Sequence, residues 1–255
     1  PADSIYLNKV LVLEGSSVII SRKFSYDQQK RVVSIIDSLY NLSAADIKNE
    51  YYYYYNGSDT LPFKMIRKET DLTQNEVYTN TSFYTFNSQG LKVKDSTIVA
   101  DPLPSPPYSE ITNLVHGAGT IYSLGSYNNS SNPHSFRDTA ILNVQGNISS
   151  AKSWSNASGT WELGKENTIS YDNKVNPFYK LNIYRSMIQS SGTLDDVINM
   201  AAANNILSYR EFYPQGGFSW DVAVNYTYNS NNMPIQAVAN LDGDIVSFQF
   251  TYTDL

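Results

Sequence analysis

Hydrophobic and polar positions alternate with a period of two along most of the chain, and turn residues interrupt the alternation at short intervals. This pattern is typical of half-buried β-strands. Val32–Tyr40 also fits a helical period, but its β-branched residues and its place between turns favour a strand. The predicted strands are Ile5–Leu13, Val18–Tyr26, Val32–Tyr40, Tyr51–Tyr55, Glu76–Phe86, Leu91–Val99, Thr120–Tyr127, Ala140–Val144, Ile148–Trp154, Trp161–Leu163, Thr168–Tyr171, Ile206–Tyr213, Ser219–Tyr228, Pro234–Leu241 and Asp244–Tyr252.

Two segments depart from this pattern. Thr193–Asn204 opens like a helix N-terminal capping box and continues with apolar residues at helical spacing, so it predicts one short helix. Asp101–Pro107 is rich in proline and predicts a stiff loop that crosses within one domain, because strand patterns continue beyond it. We therefore expect a single all-β domain over residues 1–255, a long antiparallel meander curled into an open or partly closed barrel.

Composition narrows the class of protein. Only 16% of the residues are charged, against a usual share of about 25%, and tyrosine is abundant at 21 residues. The net charge is −6 and no run of Lys or Arg occurs, so we expect no nucleic-acid partner. The chain contains no cysteine, which excludes disulfides and thiolate chemistry, and no apolar run reaches the roughly 18 residues of a transmembrane helix. Because the sequence begins at Pro1 without Met, we expect that a signal peptide has been removed and that the protein is exported.

One sequence unit recurs: an aromatic strand end, then Asp or Asn, then a short polar turn. In this unit the aromatic residue packs across the hairpin, and the Asp or Asn side chain initiates the turn. Each hairpin is unable to bury its apolar face alone, so neighbouring hairpins must stack in sequence order. The copies are Phe24-Ser-Tyr26-Asp27, Tyr53-Tyr-Tyr55-Asn56, Tyr84-Thr-Phe86-Asn87, Ile169-Ser-Tyr171-Asp172 and Tyr226-Thr-Tyr228-Asn229.

These units resemble YD-type repeats. The string Tyr171-Asp-Asn-Lys-Val-Asn-Pro-Phe178, the pair Asn204-Asn205, and Tyr226-x-Tyr228 followed by Met233-Pro234 resemble a family of secreted Bacteroidetes lipoproteins of unknown function with a porin-like, open-barrel sheet. The resemblance is clearest over about residues 168–252. Lys30 and Asn232 stand where such turns often carry glycine. The resemblance implies a periplasmic or outer-membrane-anchored protein, held to the membrane only through a lipid anchor upstream of Pro1, and it brings no catalytic residues.

No catalytic or metal motif is evident, and we expect no enzyme activity and no cofactor. His116 and His134 are more simply interpreted as sheet and loop histidines. The acidic pair in Asp242-Gly-Asp244 is better explained by a hairpin turn than by a calcium loop. Several carboxylates could form a glycosidase dyad only if the fold brought two of them to a suitable separation: Asp195, Asp196, Glu162, Glu166 and Asp172.

The aromatic residues are the one excess with a functional interpretation. Tyr51, Tyr53 and Tyr55 are the candidate ligand-binding residues, because rings on a sheet face can stack on sugars or anchor a protein, although core packing explains many aromatics. Trp161 and Trp220 are expected in the core. The leading hypothesis is a non-catalytic envelope or surface protein that binds a glycan, a peptide or an envelope partner. The alternatives are a carrier of a lipid or small hydrophobic ligand, and an integral outer-membrane barrel, which the polar strands disfavour.

Overall fold

In the part of the chain that the structure describes, sixteen antiparallel strands form a closed barrel. The computed structural model describes residues 5–41, 44–100, 108–128, 134–156, 159–181, 183, 202–241 and 243–255. Each strand pairs with its neighbours in sequence. The strands are β1 (Ile5–Glu14), β2 (Ser17–Tyr26), β3 (Val32–Asn41), β4 (Ala44–Tyr54), β5 (Lys64–Asp71), β6 (Glu76–Phe86), β7 (Lys92–Ala100), β8 (Tyr108–Gly117), β9 (Thr120–Asn128), β10 (His134–Leu142), β11 (Ile148–Asn156), β12 (Glu162–Val175), β13 (Asn204–Tyr213), β14 (Phe218–Tyr228), β15 (Pro234–Leu241) and β16 (Asp244–Asp254).

The first and last strands close the barrel. β1 pairs with β16 from Ile5 opposite Asp254 to Glu14 opposite Val246. The sequence predicted an all-β antiparallel meander curled into an open or partly closed barrel; the meander is confirmed, and the β1–β16 pairing makes the barrel closed. Closure removes the unpaired strand edges that an open sheet of this length would expose to other chains.

The ambiguous segments are resolved where the structure describes them. Val32–Tyr40 forms β3, so the strand interpretation is confirmed. Most of the predicted helix Thr193–Asn204, up to position 201, lies outside the described residues. Its last predicted residue, Asn204, is the first residue of strand β13. The proline-rich loop at 101–107 also lies outside them. A short 3-10 helix, Tyr179–Leu181, is the helical element that the described residues contain.

Four hairpin turns share one hydrogen-bond pattern. In each turn the side-chain oxygen of an Asp or Asn accepts hydrogen bonds from the backbone N–H groups two and four residues later, and the intervening third residue has a positive φ. They connect β2–β3, β6–β7, β10–β11 and β14–β15, so they recur every fourth strand and lie at one end of the barrel, here called the Asx-turn end. The initiating residues are Asp27, Asn87, Asn143 and Asn229.

Tyrosine hydroxyls close the inside of the Asx-turn end. Each of four inward-facing tyrosines donates to a backbone carbonyl at the start of the preceding strand, over 2.6 to 2.7 Å. Burial raises the pKa of all four phenols above the usual value, so they remain donors. The pairs are Tyr26 with Leu7, Tyr55 with Val32, Tyr171 with Ile148 and Tyr252 with Pro234.

The apolar core fills the same end from inside. It is built by inward side chains of β1–β3 and β12–β16, which are 0 to 6% exposed. After β12 the chain contributes Phe178 and Leu181 to this core, and the Phe178 ring lies 6.2 Å from that of Phe24 and 6.3 Å from that of Phe250. The 28-residue connection between β12 and β13 therefore packs part of its length inside the barrel, unlike a surface loop.

The outer surface carries charged side chains at the middle of many strands. Residues directly opposite each other in a ladder share a face, so the register separates outward from inward positions. Several outward residues form ion pairs with each other, at 2.7 Å between Lys152 and Glu166 and 2.9 Å between Lys48 and Glu50. The outward charged residues in mid-strand include Lys23, Lys48, Glu50, Lys68, Lys152, Glu166, Arg210 and Asp221.

Candidate functional site

The inward face of β4–β10, here called the luminal arc, differs from the rest of the interior. Its side chains are mostly half-buried and many are polar, whereas those of the apolar core are almost fully buried. Arg67 and Glu69 face inward, yet their side chains are 35% and 34% exposed. Water therefore reaches this part of the interior, which makes the luminal arc the candidate site for a ligand.

The run of five tyrosines divides between two faces. Tyr51 and Tyr53 point into the lumen and pack partly against the apolar core, whereas Tyr52 and Tyr54 point outward. Tyr55 follows the end of β4. Its hydroxyl donates to the Val32 carbonyl, and the guanidinium of Arg31 lies 4.4 Å from the centroid of its ring. The structure thus brings two of the three predicted ligand-binding tyrosines together and assigns the third a contact within the Asx-turn end.

A polar network adjoins Tyr51. Arg67 lies opposite Tyr51 on β5, and its guanidinium is 5.9 Å from the ring centroid. The same guanidinium donates to Asn49 Oδ1 over 3.1 Å and forms an ion pair with Glu69. An aromatic ring beside amide, guanidinium and carboxylate groups offers both stacking and hydrogen bonds, which suits a hydroxyl-rich ligand better than an alkyl chain.

Other luminal cations are held by carboxylates. Lys92 pairs with Asp95 at 2.9 Å, and its ammonium lies 5.1 Å from the Tyr84 ring centroid. Lys165 pairs at 3.1 Å with Glu211, which has 0% exposure. These interior charges are compensated locally, as burial requires.

Two tyrosines complete the surroundings of Glu211. Tyr209 and Tyr213 both donate their hydroxyls to its carboxylate. Burial, followed by this hydrogen bond, raises the pKa of Tyr213 to about 12, and burial raises that of Tyr209 further. The two phenols therefore stay protonated at neutral pH and act as fixed donors to the buried carboxylate.

The two histidines lie in different surroundings. His116 Nε2 is 2.8 Å from the Lys92 carbonyl oxygen, and His134 stacks on Tyr127 with a centroid distance of 4.3 Å. Among the described residues no cluster of three or more His, Cys, Asp or Glu could hold a metal ion. The side chain at position 242 lies outside those residues, and Asp244 begins β16.

The described carboxylates of the predicted acid pairs have separate partners. Glu166 pairs with Lys152, Glu162 accepts from Gln215, and Asp172 binds Asn205 and Tyr228 at the Asx-turn end. Glu162 and Glu166 lie near the start of β12 and Asp172 near its end. Positions 195 and 196 lie outside the described residues. The structure thus assigns each described carboxylate to a local contact.

The tryptophans do not all occupy the core. Trp220 packs against the apolar core as predicted. The prediction for Trp161 is wrong: it is half-buried, and its ring lies 4.7 Å from the guanidinium of Arg137, which also lies 5.0 Å from the Trp154 ring. Because Trp161 directly precedes β12, it does not take part in the strand alternation that suggested an inward position.

Comparison with solved structures identifies the fold. A porin-like protein from Bacteroides vulgatus superposes with a TM-score of 0.60 at 12% identity, covering 98% of this chain and 99% of that chain. A porin-like protein from Bacteroides uniformis gives 0.51 at 10% identity, with 97% and 98% coverage. The fold is porin-like. The chain matches no protein-family model and no curated protein.

The helical part of the described chain adds no membrane span. None of its helices combines the length and the apolar composition needed to cross a bilayer.

Sequence reasoning missed two of the seven strands of the luminal arc, β5 and β8, and the first residues of β4 and β10. Lys64–Asp71, which contributes Arg67 and Glu69, contains charged residues on both faces and so lacks the alternation of a strand with one apolar face. Tyr108–Gly117, which contributes Glu110, was likewise not among the predicted strands. The available signal was the length of chain between predicted strands, since the gaps between residues 55 and 76 and between 99 and 120 each have room for one more strand.

Proposed function

We propose that this chain is a non-catalytic binding protein of the bacterial cell envelope, and that it takes a hydroxyl-rich ligand such as a glycan on the luminal arc. The proposal rests above all on the partly exposed inward side chains around Tyr51, Tyr53 and Arg67. Their combination of ring faces, hydrogen-bond donors and acceptors is the chemistry that recognises sugars. The porin-like proteins from Bacteroides that share the fold support an envelope location.

The outer face favours a barrel surrounded by water over one embedded in lipid. Lys48, Lys68 and Arg210 point outward in mid-strand, and a basic residue on the lipid face of a barrel costs about 2–4 kcal/mol at the bilayer midplane. A continuous apolar band would be needed to offset these costs. We therefore expect the purified chain to remain monodisperse without detergent.

The apolar end offers little room for a lipid. The core side chains there, including Phe178, Phe248 and Phe250, are at most 6% exposed because the protein packs them against each other. A carrier of a lipid or other hydrophobic ligand would need an apolar cavity in this region. The polar luminal arc thus supports the glycan over the lipid as ligand.

The test is a binding screen with matched variants of one strand. Purified protein would be screened by thermal shift and calorimetry against neutral oligosaccharides and against a long-chain fatty acid. For an oligosaccharide that binds, we expect Tyr53→Leu to weaken affinity about tenfold, since a lost stacking contact contributes roughly 0.5–1.5 kcal/mol in addition to buried area. The control Tyr52→Leu changes an outward ring of the same strand and should leave affinity unchanged.

Three outcomes would reject the proposal. Equal loss of affinity in the two variants would place the ligand outside the lumen. Binding of the fatty acid alone would support the carrier instead. A stable protein that binds no member of the screen would remove the proposed glycan function.

A further inference from the structure

Three aromatic side chains cluster on the luminal arc at β9 and β10, where His134 stacks on Tyr127 and Phe136 lies tilted by 47° against it; this cluster is here called the stack. The Tyr127 ring lies 4.3 Å from the imidazole of His134, with 29° between the planes, and 5.3 Å from the Phe136 ring. His134 is opposite Tyr127 in the ladder, so both point into the lumen. All three are half-buried, which leaves part of the stack accessible to a ligand.

Gly125 sets the position of the Phe136 ring. The two residues are opposite each other, and a Cβ atom at position 125 would lie 2.0 Å from the ring. The ring therefore lies directly on the backbone of β9 and covers it. No other residue type leaves this space, so the glycine determines where the ring surface is presented to the lumen.

A carboxylate borders the stack. Glu110 on β8 lies opposite Tyr127, and it accepts hydrogen bonds from the Tyr127 hydroxyl and from Thr112. Within the described chain Glu110 takes part in no ion pair with Lys or Arg, whereas the neighbouring luminal Asp95 is paired with Lys92. The basic side chain that acts on the pKa of Glu110 is the imidazole of His134, so this half-buried carboxylate beside aromatic faces has no lysine or arginine partner.

We infer that Glu110, Tyr127 and Phe136 form a luminal subsite for an organic cation, such as an alkylammonium group. The ring faces would contact the cation through their quadrupoles, and Glu110 would supply the opposite charge. Both the ring faces and the carboxylate attract positive charge, so this subsite recognises a positively charged group within the ligand. The inference rests on the proposed function in that the lumen must admit a ligand.

The test compares choline with 3,3-dimethylbutan-1-ol, an uncharged molecule of nearly the same shape, by calorimetry at low ionic strength. We expect choline to bind and the alcohol to bind at least tenfold more weakly, since the alcohol lacks the positive charge that the ring faces and the Glu110 carboxylate attract. Glu110→Gln and Tyr127→Leu should each weaken choline binding by about tenfold or more. The matched control is Tyr122→Leu, which alters an outward ring of β9 and should leave choline binding unchanged.

Glu110→Gln keeps an amide oxygen to accept from Tyr127 and Thr112, so the variant should fold, and its melting curve would verify this. Equal binding of choline and the alcohol, or unchanged choline binding in Glu110→Gln, would overturn the inference. Oligosaccharide binding that depends on Tyr53, with no choline binding, would reject this subsite and leave the proposed function standing. Choline binding without oligosaccharide binding would reject the glycan and retain the subsite.

Discussion

Arg22 and Asp37 form a bidentate salt bridge inside the barrel, with Arg22 Nε 2.8 Å from Asp37 Oδ1 and Arg22 Nη2 2.6 Å from Asp37 Oδ2. The side chains are only 9% and 4% exposed, and the residues lie opposite each other on β2 and β3. Each neutralises the other where water does not reach. The pair adjoins the apolar core at Phe24 and Ile35, which occupy the next inward positions on the same two strands.

Loss of one member of this pair should be far more harmful than loss of both. Arg22→Met leaves a buried carboxylate without its cation, and we expect about 3–5 kcal/mol of lost stability. Arg22→Met combined with Asp37→Leu removes both charges and should recover most of that loss. Urea unfolding at neutral pH measures the difference, and equal stabilities for the single and double variants would contradict the expectation.

Lys30 occupies a backbone conformation that favours glycine. Its φ is 62°, at the turn position where Gly90 and Gly146 have φ of 74° and 80°. A left-handed conformation costs a residue with a side chain about 1–2 kcal/mol, and glycine avoids this cost. Part of the benefit is offset because glycine loses more backbone conformational entropy on folding than lysine does. Lys30→Gly should therefore stabilise the protein by about 0.5–1 kcal/mol, measured by urea unfolding.

The reverse substitution supplies the control for that turn. Gly90→Ala introduces a side chain at the equivalent position of another Asx turn, and we expect it to destabilise by about 1 kcal/mol. A stabilising Gly90→Ala, or a destabilising Lys30→Gly, would show that the turns are not equivalent. Lys30 also has a weak contact with the Tyr6 ring, at 5.8 Å, whose loss reduces the expected gain.

Local chemistry explains why the turns and strands could be predicted. The Asp or Asn after an aromatic strand end forms the same pair of side-chain hydrogen bonds at Asp27, Asn87 and Asn229. The other two predicted copies differ: Asn56 accepts from Asp59 through its backbone carbonyl, and Asp172 lies inside β12, so the turn predicted there is wrong. Asn143 forms the same turn but follows Leu142, so the aromatic pattern did not include it. Closure of the barrel depends on pairing between residues almost the full chain apart, and no local pattern encodes it.

The candidate site was less accessible to sequence reasoning. Alternation predicts that Tyr51 and Tyr53 share one face, but it does not say which face is inside a barrel that has polar residues on both. The apolar β9 residues Tyr122 and Leu124 point outward, 49% and 54% exposed, while Ser123 points inward. Only the register of all sixteen strands together assigns these faces.

Gly125 should tolerate no side chain. In Gly125→Ala the new Cβ would lie 2.0 Å from the Phe136 ring, which must then swing away and lose its contact with Tyr127. We expect a loss of about 1–3 kcal/mol, as for other overpacked sites. Chemical denaturation of the single variant measures it.

A double variant tests whether the clash is the cause. Combining Gly125→Ala with Phe136→Leu removes the ring with which the new methyl group clashes. The double variant should therefore lose less stability than the sum of the losses of the two single variants. The control Ser126→Ala changes an exposed outward neighbour and should alter stability by less than about 0.5 kcal/mol. Strict additivity of Gly125→Ala and Phe136→Leu would mean that the glycine matters for another reason.

Glu110 should make stability depend on pH with a definite sign. Burial, and then the charge of Asp95, raise the pKa of Glu110 above its usual value, while Thr112, Tyr127 and His134 oppose the shift. The folded protein therefore binds this proton more tightly than the unfolded chain does, and the contribution of Glu110 to stability falls as pH rises through the raised pKa.

Glu110→Gln should raise the melting temperature at pH 7, and its advantage should shrink as the pH falls toward the ordinary glutamate value of about 4.3. Melting curves of both proteins across that range measure this, with Glu166→Gln as a control on the outer face. An advantage that grows on acidification would show that the folded protein stabilises the Glu110 carboxylate. Cation binding should weaken over the same pH range, because protonation removes the charge that the ammonium group contacts.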